Sequence, residues 1–415
     1  MHAVDVAPTE TAAHAVRVTD RWAACGGMWL TGPANLPGLG PPRGLIDHVD
    51  ELAARIAAAS SVIGRRVSVD SLQVLTERAA WAGLGRAGQQ SCGGATRLLK
   101  TNDGWVALTL ARPDDAAMVP ALVEGDVSDP WGAVEAWGAG RSVEQFVERA
   151  ALLSLPVAAL GERTGSMAVT TRRYGRAQRR RSPDAASVVV ADLSSMWAGP
   201  LCAALLAEAG CTVIKIESTT RPDGARMGPQ GFFDLLHHRK HNLGLAFGEP
   251  GDRELLARVL RRCDVVIEAS RPRALQQLGV DRAGMMEELL VGGPQVWVSI
   301  TGHGSSNDRV GFGDDAAVAG GLVAWHDGTP QFCADAVGDP ISGLAAAAAT
   351  MEAIAAGVRC HLDVSMAGAC AAAAGPTLAM PADAAAMRPS PSAAPGTARP
   401  LGADNAAVLH LLGLG

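Results

Sequence analysis

The sequence is poor in aromatic side chains. It has one Tyr, six Phe and nine Trp, 4% of the chain together, and Ala fills the helices instead. The eight cysteines (25, 92, 202, 211, 263, 333, 360, 370) form no Cys-x-x-Cys, which reads as reduced, mostly buried thiols in a cytoplasm. No apolar run reaches the ~18 residues of a membrane span without a charge or Pro. The opening stretch, MHAVDVAPTETAAHAVRVTD, lacks the apolar core of a secretory leader, so a cytoplasmic protein is expected. Basic residues are not in excess. Lys and Arg number 36 against 42 Asp and Glu, a net charge of −6, and a nucleic-acid partner is not expected. No Gly-x-Ser-x-Gly occurs, and no Gly-x-Gly-x-x-Gly follows a strand. The first absence removes the usual serine-nucleophile turn. The second removes the pyrophosphate cradle of a nicotinamide or flavin site.

What is present is a chain of 415 residues, 48% hydrophobic and 19% charged, the profile of an enzyme of two or three domains. Residues 1–18 read as a disordered lead. Residues 19–170 mix helix and strand: LIDHVDELAARIAAASSVIG repeats apolar residues at helical spacing, and GWVALTLA alternates like a strand. A small α/β domain is expected there. Residues 171–185 carry six Arg within 172–181 and read as a basic linker, with a phosphate or nucleic-acid tract as the alternative.

From 186 to 370 the rhythm is regular. SVVVADL, CTVIKIE, DVVIEAS and PQVWVSIT are strand-like, and GPLCAALLAEAG and DRELLARVLRRC are helical. Strand and helix in alternation predict an α/β domain, a parallel sheet flanked by helices. Residues 371–415 read as an Ala/Pro-rich tail ending in a short docking helix.

Three places invite chemistry. His237 and His241 in HHRKH stand four apart, but no further ligand completes a metal set, and a polar turn is expected. The serines of DLSSMW precede a helix and are expected to cap it. Asp339 stands between Gly338 and Pro340 before a long Ala-rich run. As residues alone, Asp-Pro is a helix cap followed by a first-turn proline. The same position suits a nucleophile: a helix N-terminus stabilises a developing oxyanion, carboxylates form covalent intermediates, and Gly338 leaves room for a substrate.

At this point a resemblance enters. VVVADLSSMWAGPLCAALLAEAGCTVIKIES, RRCDVVIEASRPRALQQLGVD, VWVSITGHG, GDDAAVAGGLVA, DPISGLAAAAATMEAI and LDVSM occur in the order of the class III CoA-transferase motifs (CaiB/BaiF type). GGATRLLKTNDGWVALTLARPDDAAMVPALV resembles that family's smaller domain, which here precedes the larger one.

The resemblance implies a nucleotide-binding-type sheet with a second α/β domain, an interlocked homodimer, and no permanent cofactor or metal. An acyl-CoA and a carboxylic acid would be the substrates. Asp339 would attack the thioester, and Gly343 is the glycine of the same motif. Arg271 would face CoA phosphates, with Lys215, Arg239 and Lys240 at basic positions nearby. Trp197 stands where formyl-CoA transferases carry Gln, which argues against formate and oxalate. Asp314 occupies the place of the racemases' His. The expectation is CoA transfer through an aspartyl intermediate, with Asp339 also capping its helix. The alternatives are a racemase-like isomerase and a weakly active acyl-CoA-binding paralogue.

Overall fold

The computed structural model describes residues 10–163, 165, 167–176, 184–270, 272–287, 293–381, 384–393 and 395–415. Counting helices of seven residues or more, the chain opens with α1 (Glu10–Ala24), α2 (Leu45–Ile63) and α3 (Gln73–Ala82). Then come β1 (Thr96–Lys100), β2 (Trp105–Thr109), α4 (Pro130–Ala139), α5 (Val143–Leu152), β3 (Val157–Ala159) and β4 (Val169–Arg176). The next run is β5 (Val189–Asp192), α6 (Ala198–Ala209), β6 (Thr212–Ser218), α7 (Gln230–His237), β7 (His241–Leu245), α8 (Pro250–Arg262) and β8 (Val265–Glu268). The chain continues through β9 (Val296–Thr301), α9 (Gly313–Ala319), the hairpin β10 (Val323–His326) and β11 (Thr329–Phe332), α10 (Gly338–Ala355), β12 (Val358–Ser365), α11 (Met366–Ala373) and α12 (Asn405–Leu411).

The main sheet has seven strands in the order β4-β12-β9-β8-β5-β6-β7. All pairings are parallel except β4 with β12. The central strands are rich in Val and Ile and buried on both faces, as a sheet covered by helices requires. From β5 the chain winds outward to β6 and β7, then returns to β8 on the other side. That reversal opens a crevice at the carboxyl ends of β5 and β8, where open α/β sheets place their ligands.

One helix dominates the core. α10 is apolar almost all round and is buried along nearly its whole length. It packs on α2, α6, α11 and the sheet. Small residues make this possible: a Cβ at Gly343 would lie 2.6 Å from the carbonyl oxygen of Ala198. Gly343 therefore serves the close crossing of α10 and α6.

Three boundaries differ from expectation. Residues 10–18 belong to α1, where a disordered lead was expected. α1, α2 and α3 share the core of the main sheet rather than a separate small domain. A core of its own forms within 96–159, where β1, β2 and β3 pack with Phe146, Val119, Leu122 and Val134. The tract read as a linker begins as β4, the antiparallel edge of the main sheet. Residues 177–183 of that tract lie outside the described residues.

The tail is pinned to the body. Ser392 donates to Glu77, the Ala398 amide donates to Asp234, and α12 is tied to β7 through Asn405 and Gly244. Among the described residues, no helix is long and apolar enough to cross a membrane.

Candidate active site

Two tight loops meet at the crevice. The first joins β5 to α6, and the second joins β11 to α10. Each holds non-glycine residues in the left-handed region: Met196 (φ 70°) in the first, Ala334 (φ 53°) and Ala336 (φ 44°) in the second. Such residues cost of order 1–2 kcal/mol each and persist only where neighbours over-determine them. Here a side chain holds the amide of every one. Asp223 accepts from Met196 at 3.0 Å, Thr31 accepts from Ala334 at 2.9 Å, and Asp314 accepts from Ala336 at 3.0 Å.

The loops bring Asp339 to the first amide of α6. Asp339 lies in the first turn of α10, with Val337 at the cap position. It does not cap its own helix, contrary to expectation. Its backbone N–H is already bonded to the carbonyl of Ala336 at 2.9 Å, and its carboxylate lies instead beside the first amide of α6, Ala198, which acts to lower its pKa. Two helix N-termini thus converge on one carboxylate, which favours negative charge.

The surroundings push the other way. Asp339 is partly exposed, yet burial raises its pKa to about 7. Arg78 opposes the rise, and the neighbouring Asp314 and Asp335 add to it. Asp314, also partly exposed, is raised to about 6 by burial and by Asp335. The next residue, Asp315, is fully buried and raised to about 7, mainly by burial. It accepts from the Phe312 amide and from Thr109 of β2, which ties the small unit to α9.

Arg78 comes from α3. Its Nε and Nη2 grip the buried carboxylate of Asp335 at 2.8 and 2.5 Å. Burial raises the pKa of Asp335, with the guanidinium opposing. The guanidinium also lies 6.0 Å from the ring centroid of Trp197. Trp197 is buried, meets Phe232 edge-on at 5.2 Å, and immediately precedes Ala198.

The expected site residues fall into distinct places. Asp339 and Trp197 share the crevice. The space at Gly338 is filled by protein rather than open to substrate, because a Cβ there would meet the Gly313 carbonyl and the Cys370 thiol. Lys215 and Lys240 are buried in an ion-pair network. Lys240 binds Asp192 at 2.8 Å and the Pro200 carbonyl at 2.9 Å, while Lys215 binds Asp223 at 2.8 Å. Burial pushes Asp192 up, but the two ammonium groups outweigh it and hold the carboxylate below its ordinary value. The network braces the loop that carries Ala198.

Arg239 is exposed in the turn after α7. Arg271 lies outside the described residues. His237 ends α7, tilted against Phe233 at 4.3 Å between ring centroids, and His241 begins β7, with a turn between them. Ser194 donates to Asp192 rather than capping α6, which has no side-chain cap. No group of His, Cys, Asp or Glu arranged to hold a metal occurs among the described residues.

Sequence reasoning missed Arg78 and Asp335. Asp335 stands four residues before Asp339, and that spacing was visible. Arg78 is 257 positions away from Asp335, with no local signal.

A family model described as CoA-transferase family III matches residues 186–403. The chain belongs to CoA-transferase family III. Residues 1–185 lie outside that match. The chain is 28% identical over 181 residues to a succinyl-CoA–D-citramalate CoA-transferase of Chloroflexus aurantiacus, covering 40% of this chain and 44% of that protein. It is 28% identical over 169 residues to a formyl-CoA:oxalate CoA-transferase of Rhodopseudomonas palustris, covering 38% and 39%. The chain thus spans less than half the length of these relatives. A crystal structure of a CAIB/BAIF family protein from Brucella suis is 26% identical with a TM-score of 0.41, covering 45% of this chain and 53% of that one.

Proposed function

We propose that the chain moves CoA from an acyl-CoA thioester to a carboxylic acid through a covalent intermediate on Asp339. The carboxylate attacks the thioester carbonyl, the C–S bond breaks, and CoA leaves as thiolate, giving a mixed anhydride. The thiolate then attacks the aspartyl carbonyl and releases the donor acid, leaving an aspartyl-CoA thioester. An acceptor carboxylate attacks that carbonyl and expels CoA thiolate. The thiolate takes the acceptor's acyl carbon, and Asp339 is restored.

One observation carries the reading: a partly exposed carboxylate with a pKa near 7, set between two helix N-termini at the sheet's switch point. A pKa near working pH gives a more basic nucleophile than an ordinary aspartate while leaving a good share ionised. In this reading the Ala198 amide, beside the carboxylate, donates to the oxyanion that forms as the aspartyl carbonyl is attacked.

The family match supports the reaction class, and the relatives' succinyl-CoA and formyl-CoA reactions suggest donors to try. The reading extends to an interlocked homodimer and a cytoplasmic setting. It also takes 96–159 as the core of the family's smaller domain, placed ahead of the larger one. The test is capture with hydroxylamine after mixing with succinyl-CoA, formyl-CoA and longer acyl-CoAs. A hydroxamate on Asp339 supports the reading. Its absence with every donor overturns it.

A further inference from the structure

We propose that Arg78 receives the carboxylate of the CoA acceptor, so that this site admits an acid in preference to a neutral nucleophile. The proposal rests on the reading of Asp339 as the covalent centre.

The second half of the reaction poses an electrostatic problem. An anionic acid must enter a crevice that already holds Asp314, Asp335 and Asp339, and like charges at short range repel. Arg78 is the cation whose charge acts on all three.

Its hydrogen bonding leaves donors for a second anion. Asp335 takes the side-on pair, Nε and Nη2, at 2.8 and 2.5 Å. A guanidinium has five N–H groups, and its end-on Nη1–Nη2 edge matches a further carboxylate in parallel. Among the described residues, no hydrogen bond is formed by Nη1 of Arg78. The Asp335 side chain is fully buried, whereas that of Arg78 is 28% exposed. Asp335 therefore anchors the group from inside and keeps part of it accessible.

Trp197 lies 6.0 Å from the guanidinium and limits how it swings. The amide of the next residue, Ala198, acts on the Asp339 carboxylate. Acceptor and reacting carbonyl would thus be aligned by one loop.

In the step assisted, an acceptor carboxylate oxygen forms a bond to the aspartyl carbonyl carbon. The C–S bond breaks, and its electron pair leaves on CoA thiolate. No net proton moves. Arg78 binds the incoming acid and does not touch the breaking C–S bond.

The test is a single-turnover competition. The enzyme is loaded with the donor that gives the most Asp339 capture. It then meets a mixture of hydroxylamine, a neutral acceptor, and one of oxalate, glutarate or D-citramalate. The ratio of acid-CoA product to Asp339 hydroxamate is measured for the wild type and for the double variant Arg78→Gln/Asp335→Asn. That variant is neutral at both positions and leaves no unpaired charge at the buried place of Asp335. Loss of a charge-assisted contact lowers the ratio by about 10- to 100-fold, whatever happens to the total rate.

Arg78→Lys keeps the charge but loses the bidentate edge. It gives an intermediate ratio and serves as the test should the double variant fail to fold. A ratio unchanged in every folded variant, with capture intact, overturns the role of Arg78 and leaves Asp339 standing. No capture in the wild type with any donor overturns the reading of Asp339 and this proposal with it.

Discussion

Replacing Asp339 with Asn makes the protein more stable above neutral pH while removing transfer. The reason is the cost of holding an ionised carboxylate beside Asp314 and Asp335 in a largely buried place. In the folded protein the Asp339 pKa is about 7 against an ordinary 3.8. Between those two values the folded state binds more protons than the unfolded state. Stability therefore falls as pH rises through that window and levels off above the folded pKa.

The full difference corresponds to an upper bound of about 4 kcal/mol, at about 1.4 kcal/mol per pH unit. Asp339 is partly exposed, and water screens it, so about 1–2 kcal/mol is expected. Asn is isosteric and keeps an oxygen for the Ala198 amide, so little else changes. Urea unfolding of both proteins at pH 5 and pH 8 measures the effect. The variant gains about 1–2 kcal/mol over the wild type at pH 8 and much less at pH 5. A difference that is equal at both pH values, or a variant less stable at pH 8, refutes the argument. Asp314 and Asp315, raised to about 6 and about 7, leave a residual slope of the same sign in both proteins.

Two further perturbations separate packing from chemistry. Gly343→Val brings a side chain against the Ala198 carbonyl and Leu201, where even a Cβ would lie 2.6 Å from that oxygen. It lowers stability by about 1–3 kcal/mol through overpacking and weakens Asp339 capture by shifting α6, both read on the same preparation. Lys240→Met takes from the buried Asp192 its directly bonded ammonium, leaving Lys215 nearby, and costs about 3 kcal/mol in urea unfolding. Unchanged stability with weaker CoA binding would return Lys240 to the ligand site.

Much of the fold was legible because its cues are local. The Val- and Ile-rich β5, β6, β8 and β9 read as strands of a parallel sheet flanked by helices, and they are. The start of α5 is equally local: Ser142 and Gln145 bond reciprocally through side chains and amides at 3.2 and 3.1 Å. β4 was obscured because an edge strand needs little apolar sequence: Thr and Arg face outward while its backbone pairs with β12.

Asp339 was legible as a helix-start residue, but its role as a cap was not borne out. Cap geometry depends on where the helix begins, and α10 begins at Gly338, two residues before the start that a cap at Asp339 requires. The surroundings of the lysines were hidden for a different reason. Lys215 sits on a strand beside the site, and only the fold reveals that Asp223 and Asp192 surround it. Arg78 could be found only in three dimensions, because its partners lie on loops more than a hundred residues away.

Hydroxylamine capture at Asp339 tests the central claim most directly. Wild type and Asp339→Asn are mixed with each acyl-CoA, quenched, digested and analysed by mass spectrometry. The account predicts a hydroxamate on the peptide carrying Asp339, stoichiometric CoA release with at least one donor, and neither in the variant. Measurable acyl-CoA binding without any hydroxamate, or capture that persists in the variant, contradicts it.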